Sequence, residues 1–155
     1  MKALGILIVV LALAAGAALP AAAQQSARGT AEEAQALVAR AIDLSERLGP
    51  DVAMAALNAQ DPRFVDRDLY VFVLSEDGIV VAQSADPSRV GLDARTLIDA
   101  AGNPIGTWII EQASPEGVWV DYMRNDPATG QNEAKSSWVV RHGGYIYGCS
   151  IYETP

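Results

Sequence analysis

The sequence has few of the residue types that cross-link a small domain or perform catalysis. Cys149 is its only cysteine, so no intrachain disulfide can form and stability must come from packing. His142 is its only histidine and no Gly-x-Ser-x-Gly motif is present, so a multi-histidine zinc site lacks its ligands and the sequence gives no signal of a Ser-His-Asp triad. We therefore expect no enzymatic activity and no metal ion or other cofactor.

Simple structural roles are expected for these two single residues. Cys149 falls in an alternating apolar run, which favours a small buried side chain, and an interchain disulfide is the alternative. His142 precedes the pair Gly143-Gly144, where an exposed position in a turn is expected.

The N-terminus is apolar. Met1-Lys2 is followed by the run Ala3–Leu19 and then by a segment with an Ala-x-Ala site. This pattern is typical of a secretory signal peptide, and we place its cleavage after Ala23. A retained membrane anchor is the alternative, although the run is about as short as a membrane span can be. The mature protein is expected to be periplasmic or secreted and free of the membrane.

Basic side chains are scarce in the mature chain. Removing 23 of the 155 residues takes away Lys2 and leaves 132 residues with 10 of the 11 Lys and Arg side chains against 19 Asp and Glu. The net charge accordingly changes from −8 to −9. A surface this acidic repels phosphate backbones, so we expect no nucleic-acid partner. The length predicts a short flexible lead, 24–29, and a single domain, 30–155.

The first half of the domain contains the signals of two helices. Thr30 and Glu33 match a capping box, and apolar residues then recur at three- and four-residue spacing as far as Leu48. Gly49-Pro50 ends this long helix, because glycine accepts a left-handed conformation and proline cannot continue the hydrogen-bond ladder. A second, shorter helix is expected to end at Asn58.

The rest of the chain predicts five strands. Leu69–Leu74 and Ile79–Ser84 form a hairpin around a turn that ends in glycine. An antiparallel meander follows, with strands at Gly117–Arg124, Lys135–Arg141 and Tyr145–Tyr152. Between hairpin and meander, we interpret the loop-like segment 85–103 as a lid and 106–113 as a short helix. The fold class is therefore α+β.

A family resemblance appears when the short motifs are taken in order. They are Tyr70–Leu74, Asp77–Ala82, Asp86–Gly91, Asp99–Pro104, Gly117–Tyr122, Asn125–Pro127, Lys135–Val139 and Tyr147–Tyr152. Together they resemble the bacterial single Cache sensor domain of the second subtype, over nearly the whole mature chain. The resemblance implies a PAS-like five-stranded antiparallel sheet behind a long N-terminal helix. It also implies an exported domain that binds a small carboxylate or an amino-acid-like metabolite.

Two features depart from the family pattern. Gln83 stands where the family often has histidine, so the ligand does not follow from the resemblance. The sequence also shows no second membrane span and no signalling segment, so we expect a stand-alone form that presents its ligand to a membrane receptor. The alternative is a structural or protein-interaction domain whose pocket is filled by its own side chains.

Lys135 is the candidate anchor for an anionic ligand. It is the only lysine of the mature chain and lies at the start of a predicted strand, where its ammonium group would donate a charge-assisted hydrogen bond to a carboxylate. A solvated lysine at a strand end is the alternative. The resemblance favours the anchor, because this position matches the block that supplies a polar contact.

The other candidate ligand-binding residues are mostly aromatic. They are Tyr122, Trp119, Phe72, Trp108 and Tyr147, together with Gln83. Aromatic rings of this kind would enclose the apolar part of a ligand, and packing in the core is the alternative for several of them. Alternation along a strand puts Trp119 and Tyr122 on opposite faces unless a bulge intervenes, and we favour Tyr122.

Overall fold

The computed structural model describes residues 28–127 and 129–153. The predicted signal peptide, its cleavage site and residues 24–27 of the predicted lead lie outside this part of the chain. Within the described residues, no helix has the length and apolar character that a membrane crossing requires. Arg28 and Gly29, which end the predicted lead, contact the domain: Gly29 N donates to Asp68 Oδ1 at 2.7 Å.

Two helices open the domain, as predicted. Helix α1 spans Ala31–Leu48, and its N-terminus has the predicted capping box between Thr30 and Glu33. Gly49 ends it with a φ of 93°, a value that favours glycine. Helix α2 follows at once over Pro50–Asn58.

The antiparallel sheet has five longer strands and one short one. Its strands are β1 (Val65–Asp66), β2 (Leu69–Ser75), β3 (Val80–Gln83), β4 (Val118–Asn125), β5 (Asn132–His142) and β6 (Tyr145–Tyr152). The spatial order is β1-β2-β6-β5-β4, with β3 also pairing β2. The hairpin and the meander are therefore confirmed. The two-residue strand β1 was not predicted, because so short a segment carries no sequence pattern.

The sheet separates two apolar clusters. On one face, α1 and α2 pack over residues of β2 and β6 such as Val71, Val73 and Cys149, which are fully buried. Burial raises the pKa of the Cys149 thiol to about 12, which fits the predicted small buried side chain and leaves the sulfur unreactive. The other face carries a second cluster with helix α3, which spans Ile105–Gln112.

The predicted lid crosses this second face. It contains two short 3-10 turns, Pro87–Arg89 and Ala94–Thr96. Backbone hydrogen bonds hold it to β3 and to the turn before it: Val80 N donates to Leu92 O at 2.9 Å, and Ala94 N donates to Gly78 O at 2.8 Å. The segment 85–104, called the cover below, thus has more local structure than its sequence indicated.

Candidate functional site

A small cavity lies between the second face of the sheet, the cover and α3. Its volume is about 100 Å³. Its apolar walls come from Phe72, Leu74, Val80, Leu92, Ala94, Leu97, Ile105, Gly106 and Ile109. Its polar lining consists of Tyr70, Gln83, Arg89, Tyr122, Arg124, Lys135, Ser137 and Ser150. Three of these residues are cationic, and none of the lining residues is an aspartate or a glutamate.

Four of the seven predicted ligand-binding residues line this cavity. They are Lys135, Tyr122, Phe72 and Gln83. Phe72 fits there because its partner across the sheet is Gly148, where an added Cβ would lie 2.2 Å from the ring. These four residues lie on four different strands, β5, β4, β2 and β3, which the fold brings together around the cavity.

The other three predicted residues do not line the cavity. Trp119 lies on the opposite face, because β4 pairs with β5 without a bulge, and its ring packs against Trp138 at a centroid distance of 5.5 Å. Tyr147 is buried in the helix-covered core for the same reason of alternation. Trp108 packs against the cavity-side core beside Ile105 and Ile109, which take the inward side of α3.

Lys135 is buried rather than solvated. Only 6% of its surface is exposed. Its register places it directly between Tyr122 on β4 and Tyr152 on β6, and its Nζ lies 4.2 Å from the centroid of the Tyr152 ring and 5.6 Å from that of Tyr70. Burial lowers the pKa of Lys135, and the nearby charge of Arg124 lowers it further. The charges of Asp68 and Asp126 act in the opposite direction, and an anion in the cavity would do the same by stabilising the protonated form.

The basic side chains of the described residues fall into two groups. Eight arginines make a hydrogen bond or an ion pair with a carboxylate or a carbonyl oxygen: Arg28, Arg40, Arg47, Arg63, Arg67, Arg89, Arg95 and Arg141. Arg124 and Lys135 make neither with any described residue, and both line the cavity. In an acidic chain, this places the two cations that make no hydrogen bond or ion pair with a described residue at one site.

Two neutral side chains add further hydrogen-bond donors. The Tyr70 hydroxyl and the Gln83 amide line the cavity, and neither is hydrogen-bonded to another described residue. Burial raises the pKa of Tyr70 to about 12, so its hydroxyl keeps its proton and remains a donor. Gln83 is only 9% exposed. Buried polar groups are normally paired, so an arrangement of unpaired donors favours an acceptor-rich ligand.

A cluster of three hydroxyl groups lies beside these donors. The Ser137 and Ser150 Oγ atoms are 2.7 Å apart, and each lies 3.2 Å from the Tyr122 hydroxyl. The two serines face each other across β5 and β6, and both are almost completely buried.

Asp99 fixes the cover to the edge of the sheet. Its carboxylate accepts hydrogen bonds from the backbone N–H groups of Ala101, Asn103 and Met123, at 2.8, 2.7 and 3.2 Å. Burial opposes ionisation of Asp99, but these bonds and that of the Asn103 side chain outweigh it and lower its pKa to about 2. Ala100 N also donates to Met123 O at 2.8 Å.

A larger groove of about 330 Å³ lies on the outer side of α1, against the turn at Pro62. Its charged residues are Glu33, Arg40, Arg63 and Asp66. Their charges are satisfied locally, since Arg67 bridges Glu33 and Asp66 and Arg63 pairs with Asp61. This groove offers no group that requires a ligand.

Five polar lining residues were missed by sequence reasoning. They are Tyr70, Arg89, Arg124, Ser137 and Ser150. Alternation supplies a signal for two of them, because Arg124 is two residues after Tyr122 and Ser137 is two residues after Lys135, on the same face. The other three, Tyr70, Arg89 and Ser150, line the cavity through tertiary contacts that only the fold shows.

The chain resembles known sensor domains in sequence. A sequence model of the family Single Cache domain 2 matches residues 14–145. No curated protein gives a significant match.

Solved structures share the fold. A methyl-accepting chemotaxis protein from Vibrio parahaemolyticus has a TM-score of 0.63 at 18% identity, over 78% of this chain and 86% of that one. A periplasmic sensor domain of a chemotaxis protein has a TM-score of 0.57 at 21% identity, over 86% and 97%. A Cache chemosensory domain whose structure concerns carboxylic acid recognition has a TM-score of 0.56 at 16% identity, over 86% and 90%.

Proposed function

Since this chain belongs to the Single Cache domain 2 family of extracytoplasmic sensor domains, we propose that it binds a small carboxylate in the cavity beneath the cover. One observation carries the proposal. The two basic side chains that lack a partner among the described residues, Arg124 and Lys135, line the same cavity, and no acidic side chain lines it.

Physical chemistry explains why this arrangement favours a carboxylate. A buried ammonium group without a counter-ion is costly, and a carboxylate would supply the missing charge and accept several hydrogen bonds. Tyr70 and Gln83 offer further donors in the lining of the same cavity. A volume of about 100 Å³ suits an acid with a short carbon chain. The recognition of a carboxylic acid by a similar Cache domain supports the same ligand class.

We also propose that the domain binds its ligand without transforming it. His142 lies outside the cavity lining, where its Nε2 is 3.2 Å from Glu46 Oε1. The lining residues include no carboxylate and no histidine that could act as a general base. An exported module that presents its bound acid to a membrane receptor fits this role.

Mass spectrometry of the exported protein should give an N-terminus near Gln24, whereas an intact Met1 in the membrane fraction would contradict export by cleavage.

Thermal melting tests the proposal directly. Acetate, propionate and butyrate should each be compared with the uncharged amide of the same acid. Binding to the folded state stabilises it, by about 2.7 kcal/mol at a ligand concentration one hundred times Kd, so at least one acid should raise Tm by several degrees. The amides should not. Equal shifts with acids and amides, or no shift with any acid, would contradict the proposal.

A protein-interaction role is the second candidate. Val90, Leu92 and Ile98 on the cover are 43%, 46% and 63% exposed, so three large apolar side chains of one segment face solvent. If no acid shifts the melting temperature, this exposed group of side chains becomes the place to look for a protein partner.

A further inference from the structure

The polar lining of the cavity has two chemically different parts. Lys135 and Arg124 can only donate hydrogen bonds, whereas the three hydroxyls of Tyr122, Ser137 and Ser150 can both donate and accept. Lys135 and Ser137 lie two residues apart on one face of β5, a separation of about 7 Å along the strand. A single small ligand can therefore contact both parts.

The three hydroxyls bond to one another without using all their capacity. Each carries one proton and two lone pairs, so a closed ring among them leaves three lone pairs unused. A hydroxyl can also rotate its proton from a neighbour to a ligand while the other bonds persist. The cluster thus suits a neutral oxygen, whether it belongs to a hydroxyl or to a carbonyl group.

The lining also argues against an amino acid. The ammonium group of an amino acid needs acceptors, and none of the described lining residues carries a carboxylate. It would instead meet Lys135, Arg124 and Arg89, and a like charge in a partly desolvated site is unfavourable. The acceptors that the lining does offer, the hydroxyl oxygens and the Gln83 amide oxygen, are neutral and do not balance a positive charge.

We propose that the ligand is a short hydroxy or keto acid, and that Ser137, Ser150 and Tyr122 determine this specificity by contacting its neutral oxygen. This inference rests on the proposed function, because it takes the carboxylate to lie against Lys135 and Arg124. The apolar walls from Val80, Leu92 and Ile109 would then surround the remaining carbon atoms.

Calorimetric titration of the full chain with propionate, lactate, pyruvate and alanine tests this inference. These probes share a three-carbon skeleton and differ at the second carbon. Lactate or pyruvate should bind about three- to tenfold more tightly than propionate, which is the effect of one added hydrogen bond, and alanine should bind more weakly than propionate.

Two variants locate the effect. Ser137→Ala should lower the affinity for lactate and pyruvate more than that for propionate, so that the three acids bind the variant about equally. Ser136→Ala is the matched control, since Ser136 is equally buried on the same strand but bonds to Asp121 on the other face. It should leave the ranking of the four probes unchanged.

The outcomes separate this inference from the proposed function. If propionate binds as tightly as lactate and pyruvate, the specificity inference is wrong and carboxylate binding stands. If alanine binds most tightly, the argument from the missing carboxylate is wrong. If none of the probes binds, both the inference and the proposed function fail.

Discussion

The face of the sheet that meets α1 and the face that borders the cavity differ in how their buried polar groups are paired. Beneath the helices, Ser84 is fully buried, and its Oγ donates to Phe64 O at 2.7 Å and accepts from Val71 N at 2.9 Å. On the cavity face, Lys135 is almost as buried, and its ammonium group faces the rings of Tyr152 and Tyr70 but makes no hydrogen bond or ion pair with a described residue. The Ser84 hydroxyl is satisfied internally, whereas the Lys135 ammonium group keeps donors that an anion can use.

This difference indicates a division of labour between stability and binding. The helix-covered face gains its stability from close packing of side chains such as Leu57 and Val38. The cavity face loses some stability, because an unpaired buried charge is unfavourable in the absence of a ligand. Substitutions on the helix-covered face should therefore lower stability and leave binding unchanged. Substitutions in the cavity should weaken binding without lowering stability.

The largest effect is expected on the helix-covered face. Leu57 on α2 is fully buried, so Leu57→Ala should reduce the free energy of unfolding by about 2–5 kcal/mol through lost burial and a cavity. Urea denaturation measures this change. The rise in Tm with a bound acid should stay as in the unmodified protein, and a lost rise would show that the two faces are not separable.

A smaller effect on binding alone is expected at Arg124. Arg124→Gln removes a half-buried cation from the cavity and should weaken carboxylate binding about fivefold, or about 1 kcal/mol. Arg95→Gln is the matched control, because Arg95 lies on the cover but pairs with Asp93 at 2.8 Å, away from the lining. Titration calorimetry on both variants should show a change at Arg124 only; equal losses would indicate a general charge effect.

Arg28 ties the chain before α1 to strands β5 and β6, and its substitution should have a modest effect on stability. Its guanidinium group lies 2.7 Å from both Asp126 and Glu133 and 4.8 Å from the centroid of the Tyr152 ring. Arg28→Gln should reduce the free energy of unfolding by about 0.5–1 kcal/mol, as is usual for partly exposed ion pairs. Thermal melting at low and high salt checks this, since the difference between the two proteins should shrink as salt rises.

The smallest effect is confined to acid conditions and concerns the cover. The pKa of Asp99 is lowered from 3.8 to about 2, so its contribution to stability is complete above pH 4 and is lost as the pH falls towards 2. Hydrogen exchange at the backbone of 99–103 should become faster over this pH range. Asp99→Asn should remove the pH dependence there, and an unchanged dependence would assign it to another carboxylate.

Sequence patterns predicted the fold more completely than the site. The capping box at Thr30, the terminal Gly49 and the three-strand meander are local signals, and the structure confirms all of them. The cavity joins residues far apart in sequence, so Arg89 and Ser150 could not be recognised from their neighbours. Strict alternation along β4 explains why only one of its two predicted aromatic residues lines the cavity. Tyr122 lies on the cavity face, and Trp119 lies on the helix-covered face.

The most direct test of the account is the melting of Lys135→Met with and without an acid identified by the melting comparison. Methionine keeps most of the side-chain length and removes the buried charge, so the variant without ligand should be as stable as the unmodified protein or more stable. Its affinity for the acid should fall about ten- to a hundredfold, or about 1.5–3 kcal/mol, so the rise in Tm should be lost. A variant that is less stable without ligand and still shows the full rise would contradict the account.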